Sequence, residues 1–169
     1  MATVFMTVFA FADDPPTDPG PNDPGKKIYI TSDSLVSGND AKYAEFIGNV
    51  KATQGLDVIT ADRLKIFFKK TPQSNDNLIM DQKSIAKIVA NGHVTIHFDN
   101  KVAVAEQAVY ITATRVLVLS GPNSKIVSGS DSVAGEKITI YRTDGRINVE
   151  SGGEKRVNAV FFSGGKGSN

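Results

Sequence analysis

The chain has no cysteine and no tryptophan, and only two of its 169 residues are histidine. Without thiols there is no disulfide, no thiolate metal site and no cysteine nucleophile. A chain without thiols is equally at home in an oxidising or a reducing compartment. The net charge of +1 excludes the strongly basic balance of a nucleic-acid binder. Helix-period patterning is almost absent. Proline is scarce outside one segment: five of the seven prolines lie in residues 13–25.

What is present divides the chain. Residues 1–11 are apolar apart from threonine, and Ala10-Phe11-Ala12 is a small-x-small site. That pattern predicts a signal peptide over residues 1–12, although no Lys or Arg precedes the apolar run. The run falls short of the ~20 residues that a membrane-spanning helix requires. A hydrophobic first strand is the other reading. Residues 13–25, "DDPPTDPGPNDPG", hold Asp13, Asp14, Asp18 and Asp23 and no base. Proline fixes φ and donates no backbone hydrogen bond, so this segment is predicted to be an acidic linker. Residues 26–162 then form the predicted domain, with a modest basic excess, and residues 163–169 form a flexible tail. A core of this size needs no cross-links.

Within the domain the sequence repeats. An offset of 44 residues places Gly48 on Gly92, Val50 on Val94, Val58 on Val102, Ala61 on Ala105, Asp62 on Glu106 and Ile66 on Tyr110. A partial third copy places Gly135-Glu136 on Ala105-Glu106, and Ile138 and Ile140 on Ala108 and Tyr110. Repetition of this kind marks serial supersecondary units.

Apolar residues alternate with polar ones through both full copies. Even positions carry Phe46, Val50, Val58, Leu64, Ile66 and Phe68, then Ile88, Val94, Ile96, Phe98, Val102, Val104 and Tyr110. Odd positions carry Asn49, Lys51, Arg63, Lys65, His93, His97 and Gln107. Period two predicts strands with one oily face and one wet face. Ile47, Ile59, Phe67, Val109 and Ile111 break the rule, so the wet face is partly covered or belongs to an interface. Gly38-Asn39, Gly48-Asn49, Asn91-Gly92 and Asp144-Gly145 are turn or bulge signals at all-β spacing. The longest internal polar loop is residues 71–77.

Chemistry is sparse. His93 and His97 form H-x-x-x-H, but on a strand four residues span roughly 13 Å, too far to chelate one ion. Asp62, Glu106 and Glu136 occupy equivalent repeat positions and are the only candidates for a carboxylate pair. The competing reading puts them at the rim of an oily cavity. Ser34, Ser128 and Ser130 have no histidine or acid pattern around them. Lys69-Lys70 and Lys155-Arg156 read as solvated strand ends. No catalytic residue, metal site or cofactor is expected, and the oily face is itself the candidate functional element.

The motifs, in order, resemble a known family. They are Ser32-Asp33-Ser34-Leu35, then Phe46 with Gly48-Asn49-Val50 and Gln54-Gly55, then Ile59, Ala61-Asp62 and Leu64. Gly92-His93-Val94 and "RVNAVFF", residues 156–162, follow. Together they resemble the OstA-like domain of the LptA family of periplasmic lipopolysaccharide-transport proteins. The resemblance implies an all-β, V-shaped and open β-jelly roll. Its apolar interior would hold the acyl chains of the lipid A portion of lipopolysaccharide. Phe46, Val50, Val58, Leu64, Ile66, Phe68, Ile88, Val94, Ile96, Val102, Val104, Tyr110, Ile138 and Ile140 are expected to line it. It further implies head-to-tail self-association, through residues 27–30 and 156–162, bridging an inner-membrane transporter and an outer-membrane translocon. Two alternatives stand beside it. One is another OstA-superfamily component: a bitopic inner-membrane partner would need an uncleaved anchor, and a translocon domain a barrel downstream. The other is an enzyme acting on envelope lipid or sugar through Asp62, Glu106 and Glu136.

Overall fold

Strand formation follows the alternation. A computed structural model of the chain describes residues 27–37, 43–69, 85–153 and 155–162. The expected signal peptide, acidic linker, residues 71–77, the Gly38-Asn39 turn and the tail lie outside the described residues. No helix occurs among the described residues. The strands are β1 (Tyr29–Thr31), β2 (Ser34–Val36), β3 (Tyr43–Gln54), β4 (Asp57–Phe68) and β5 (Ile85–Phe98). They continue with β6 (Lys101–Ile111), β7 (Val116–Ser128), β8 (Asp131–Tyr141), β9 (Ile147–Glu150) and β10 (Asn158–Val160). All pair antiparallel, in the order β1-β3-β4-β5-β6-β7-β8-β10, with β2 also on β3 and β9 also on β8. The repeat is now visible as serial hairpins: β3–β4, β5–β6 and, for the partial copy, β7–β8.

Each long strand is broken near its middle, and the β4–β5 pair shifts register again between Phe67 and Phe68. Register shifts fall between Ile47 and Val50, Thr60 and Arg63, Asn91 and Val94, Val104 and Gln107, and Ser120 and Ser124. These bulges line up across the sheet and crease it, because a bulge bends its strand and sharpens the local twist. The crease divides the sheet into two arms. The upper arm holds β1, residues 50–54, 57–61, 94–98, 101–105, 124–128 and 131–135, and β10. The lower arm holds β2, residues 43–47, 63–68, 85–91, 107–111, 116–120 and 137–141, and β9. The result is an open β-jelly roll with the core between the arms.

The crease has a repeated chemistry. Gly48-Asn49 and Gly92-His93 have positive φ at both residues (80° and 46°, 76° and 45°), a conformation that glycine adopts freely and asparagine or histidine tolerates. A methyl group on Gly48 would collide with the Asp33 carboxylate, and on Gly92 with the Asp62 carboxylate. Gly121 and Gly152 meet Glu106 and Glu136 in the same way. Each acid side chain therefore packs directly against a glycine further along the chain. Asn49 Nδ2 donates to Asp33 Oδ2 at 2.8 Å, and Asp33 N donates to Gly48 O at 2.9 Å. The acids that equate in the repeat, joined by Asp33, are thus the covers of the crease.

Candidate functional site: an apolar groove between two arms

The bulges decide which residues face inward. On β3 and β5 the crossing from one arm to the other preserves parity, so Phe46 and Val50, and Ala90 and Val94, are all buried. On β4, β6 and β8 it reverses parity, because a single bulged position separates the two halves. Buried residues there run Ala61 then Leu64, and Ala103 then Ala108. The upper-arm halves of β4 and β6 consequently turn their odd residues inward.

Among the inward rows, one in each arm contributes an apolar side chain from every strand of that arm. Across the upper arm the partners are Ile30, Ala52, Ile59, Ile96, Ala103, Ile126, Val133 and Ala159. Across the lower arm they are Leu35, Phe46, Leu64, Ala90, Ala108, Leu119, Ile138 and Val149. Every member is apolar. The groove runs perpendicular to the strands, from one edge of the molecule to the other. Its middle is tightly closed, with Ala103, Leu119 and Ile138 at 0% exposure. At the edges it opens, and Leu35 is 53% exposed. Towards the amino-terminal edge the arms flank a partly open cavity of about 150 Å³. Ile28, Ile30 and Phe98 line it from the upper arm, and Ile88, Tyr110, Leu117 and Arg142 from the lower.

Eleven of the fourteen residues expected to line the groove belong to this core: Phe46, Val50, Leu64, Ile66, Phe68, Ile88, Val94, Ile96, Tyr110, Ile138 and Ile140. Three do not. Val58 pairs with Thr53 and His97, Val102 with His97 and Val127, and Val104 with Thr95 and Lys125. All three sit on the outer face of the upper arm, where Val104 is 38% exposed. The parity reversal at Asp62 and Glu106 is the cause. It also brings Ile59, placed on the wet face by simple alternation, into contact with the core. Leu117 and Leu119 were missed because Val116–Leu119 is apolar on both faces, so alternation there carries no direction.

The outer exceptions Phe67, Val109 and Ile111 do face outward. Phe67 stacks at 6.0 Å from Tyr43, with Lys65 Nζ 4.3 Å above the Tyr43 ring and Lys87 Nζ 4.4 Å above Phe67. Cation–π contact of this sort keeps exposed aromatics partly covered.

The acidic residues do not converge. Asp62, Glu106 and Glu136 lie on alternate strands, and two strand spacings are roughly 10 Å. No group of three or more His, Asp or Glu that could hold a metal exists among the described residues. His93 Nδ1 instead pairs with Asp62 Oδ2 at 2.8 Å. The hydrogen bond to Asp62, and then its charge, raise the His93 pKa above the ordinary imidazole value. A raised folded-state pKa stabilises below the unfolded value and is lost as pH rises through the folded one. A proton NMR titration should therefore place His93 above its usual midpoint, and Asp62→Asn should bring it back. An unshifted His93 in the parent protein would show that the pair does not form.

Comparison with known proteins places this architecture. The family model of LptA and LptD N-terminal-domain LPS transport proteins matches residues 29–146. No curated protein sequence matches the chain. Among solved structures, the fold is similar to LptH, described as the LptA homologous periplasmic component of the lipopolysaccharide transport device of Pseudomonas aeruginosa. The TM-score is 0.70 at 16% identity, covering 85% of this chain and 100% of that one.

Proposed function

The chain belongs to the family of LptA and LptD N-terminal-domain lipopolysaccharide-transport proteins, and on that premise we propose that its groove carries the acyl chains of lipid A across the periplasm. The family is one of transport components and not of enzymes. One observation carries the proposal: the two apolar rows run unbroken from edge to edge. Each acyl methylene taken out of water gains about 0.8 kcal/mol. A carrier that leaves its acyl chains wet at any point along the path would lose that gain. A groove open at both ends also suits copies stacked head to tail between an inner-membrane transporter and an outer-membrane translocon. Stacking joins one groove to the next and covers exposed strand edges.

Photo-crosslinking tests the reading. Crosslinkers at Leu64, Ile66 or Ile96 should capture lipopolysaccharide. Those at Val58, Val102 or Val104 should not, despite being equally apolar and on the same strands or adjacent ones. Equal capture from the two sets would remove the groove as the binding site.

A further inference from the structure

The cavity is too small for the ligand proposed for it. A dry apolar void of about 150 Å³ takes up a molecule the size of benzene, whereas an acyl chain of lipid A is much longer. The arms must part to admit it. The side opposite the crease is where they can part, and among the described residues Arg142 makes ion pairs across it. Arg142 follows β8 at the tip of the lower arm, where its backbone N–H donates to Arg115 O at 3.0 Å. Its guanidinium reaches across to the upper arm. Nη1 lies 3.3 Å from Asp57 Oδ2 and Nη2 lies 3.3 Å from Asp99 Oδ2. The same group sits 5.5 Å from the centroid of the Phe98 ring, which lines the cavity.

From this geometry we infer that Arg142 is a latch that holds the two arms together over the cavity and must release before an acyl chain enters. The inference rests on reading the cavity as the acyl-chain site. Both pairs are partly shielded, with side-chain exposures of 25% for Arg142, 23% for Asp57 and 44% for Asp99. That shielding makes them stronger than open surface pairs, yet contact with water keeps them breakable. The other described ion pairs lie within one arm or on the crease: Arg63 and Lys65 with Glu45, Lys137 with Glu150, Arg146 with Asp144 and His93 with Asp62. Arg142 joins residues 85 and 43 positions away in the chain. A latch made of partly exposed charge pairs and one aromatic contact costs little to break, and the arms stay joined at the crease.

The chain's lack of cysteine gives a clean test. Cysteines introduced at Thr114 and Ser128, both exposed and at the tips of the two arms, take spin labels whose separation reports arm opening. Arg142→Gln should lengthen that separation, and Asp57→Asn with Asp99→Asn should lengthen it as much. Both variants should take up an apolar naphthylamine fluorophore about five- to tenfold faster than the parent, given one ring contact and two partly exposed ion pairs. Lys137→Gln, which breaks a pair inside the lower arm, should change neither quantity. Unchanged separation and uptake in both latch variants overturn the inference. A longer separation with no fluorophore uptake by any protein supports the latch and instead removes the apolar-ligand reading of the cavity.

Discussion

Replacing Gly92 by alanine is expected to destabilise the protein by about 2–3 kcal/mol, far more than an alanine usually costs at a surface position. Two effects combine. The residue holds φ at +76°, which costs an L-residue roughly 1–2 kcal/mol. The new Cβ would also strike the Asp62 carboxylate, which must shift and give up its hydrogen bond with His93. Gly129 separates the two. It too has positive φ, +59°, but no atom lies within 4 Å of where its Cβ would be. Gly129→Ala should therefore cost only the backbone part, about 1 kcal/mol. Urea unfolding of both variants, together with Gly92→Ala in an Asp62→Ala background, completes the comparison. The background should recover the steric part of the loss and leave the backbone part. Equal losses at Gly92 and Gly129 would mean that acid-over-glycine packing does not hold the crease.

Removing residues 156–169 is expected to abolish self-association while leaving a folded protein. β10 is held to β8 through three residue pairs and through Phe162 N–H, which donates to Asp131 Oδ1 at 2.9 Å. It adds little to the core: Val157, Val160, Phe161 and Phe162 are 43%, 52%, 74% and 75% exposed. Losing it should lower stability by about 1 kcal/mol or less, as for other exposed contacts. The same exposure makes the segment an adhesive edge. An apolar strand at the edge of the sheet, paired on one side only, invites another chain to add to the sheet. The opposite edge offers a match, because Tyr29 on β1 is 65% exposed and Leu35 and Val36 on β2 are 53% and 52% exposed. Sedimentation velocity should show concentration-dependent assembly of the parent chain from residue 13 onward and a monomer after truncation, with nearly unchanged thermal melts. A truncated protein that unfolds would assign β10 to the core. One that still forms long assemblies would place the contact elsewhere.

The strand content, the hairpin repeat and most of the groove were legible in the sequence because they are local. Alternation at Phe46, Leu64–Ile66, Val94–Ile96 and Ile138–Ile140 needs only the two-residue period of a strand to be read. The matched acids at Asp62, Glu106 and Glu136 were visible as a repeat, but not as the partners of glycines 15 to 30 residues onward. What the sequence could not decide is the face that each half-strand presents. That depends on how many residues cross the crease, and the number is set by pairing with the neighbouring strand. Two single-residue bulges, at Asp62 and Glu106, send Val58, Val102 and Val104 outward, and the first draws Ile59 in. The latch lay further from view, since Arg142, Asp57 and Asp99 share no motif or spacing. Only the folding of one arm over the other brings them together, because contacts between the free tips of a creased sheet are fixed by its bend and not by any local pattern in the chain.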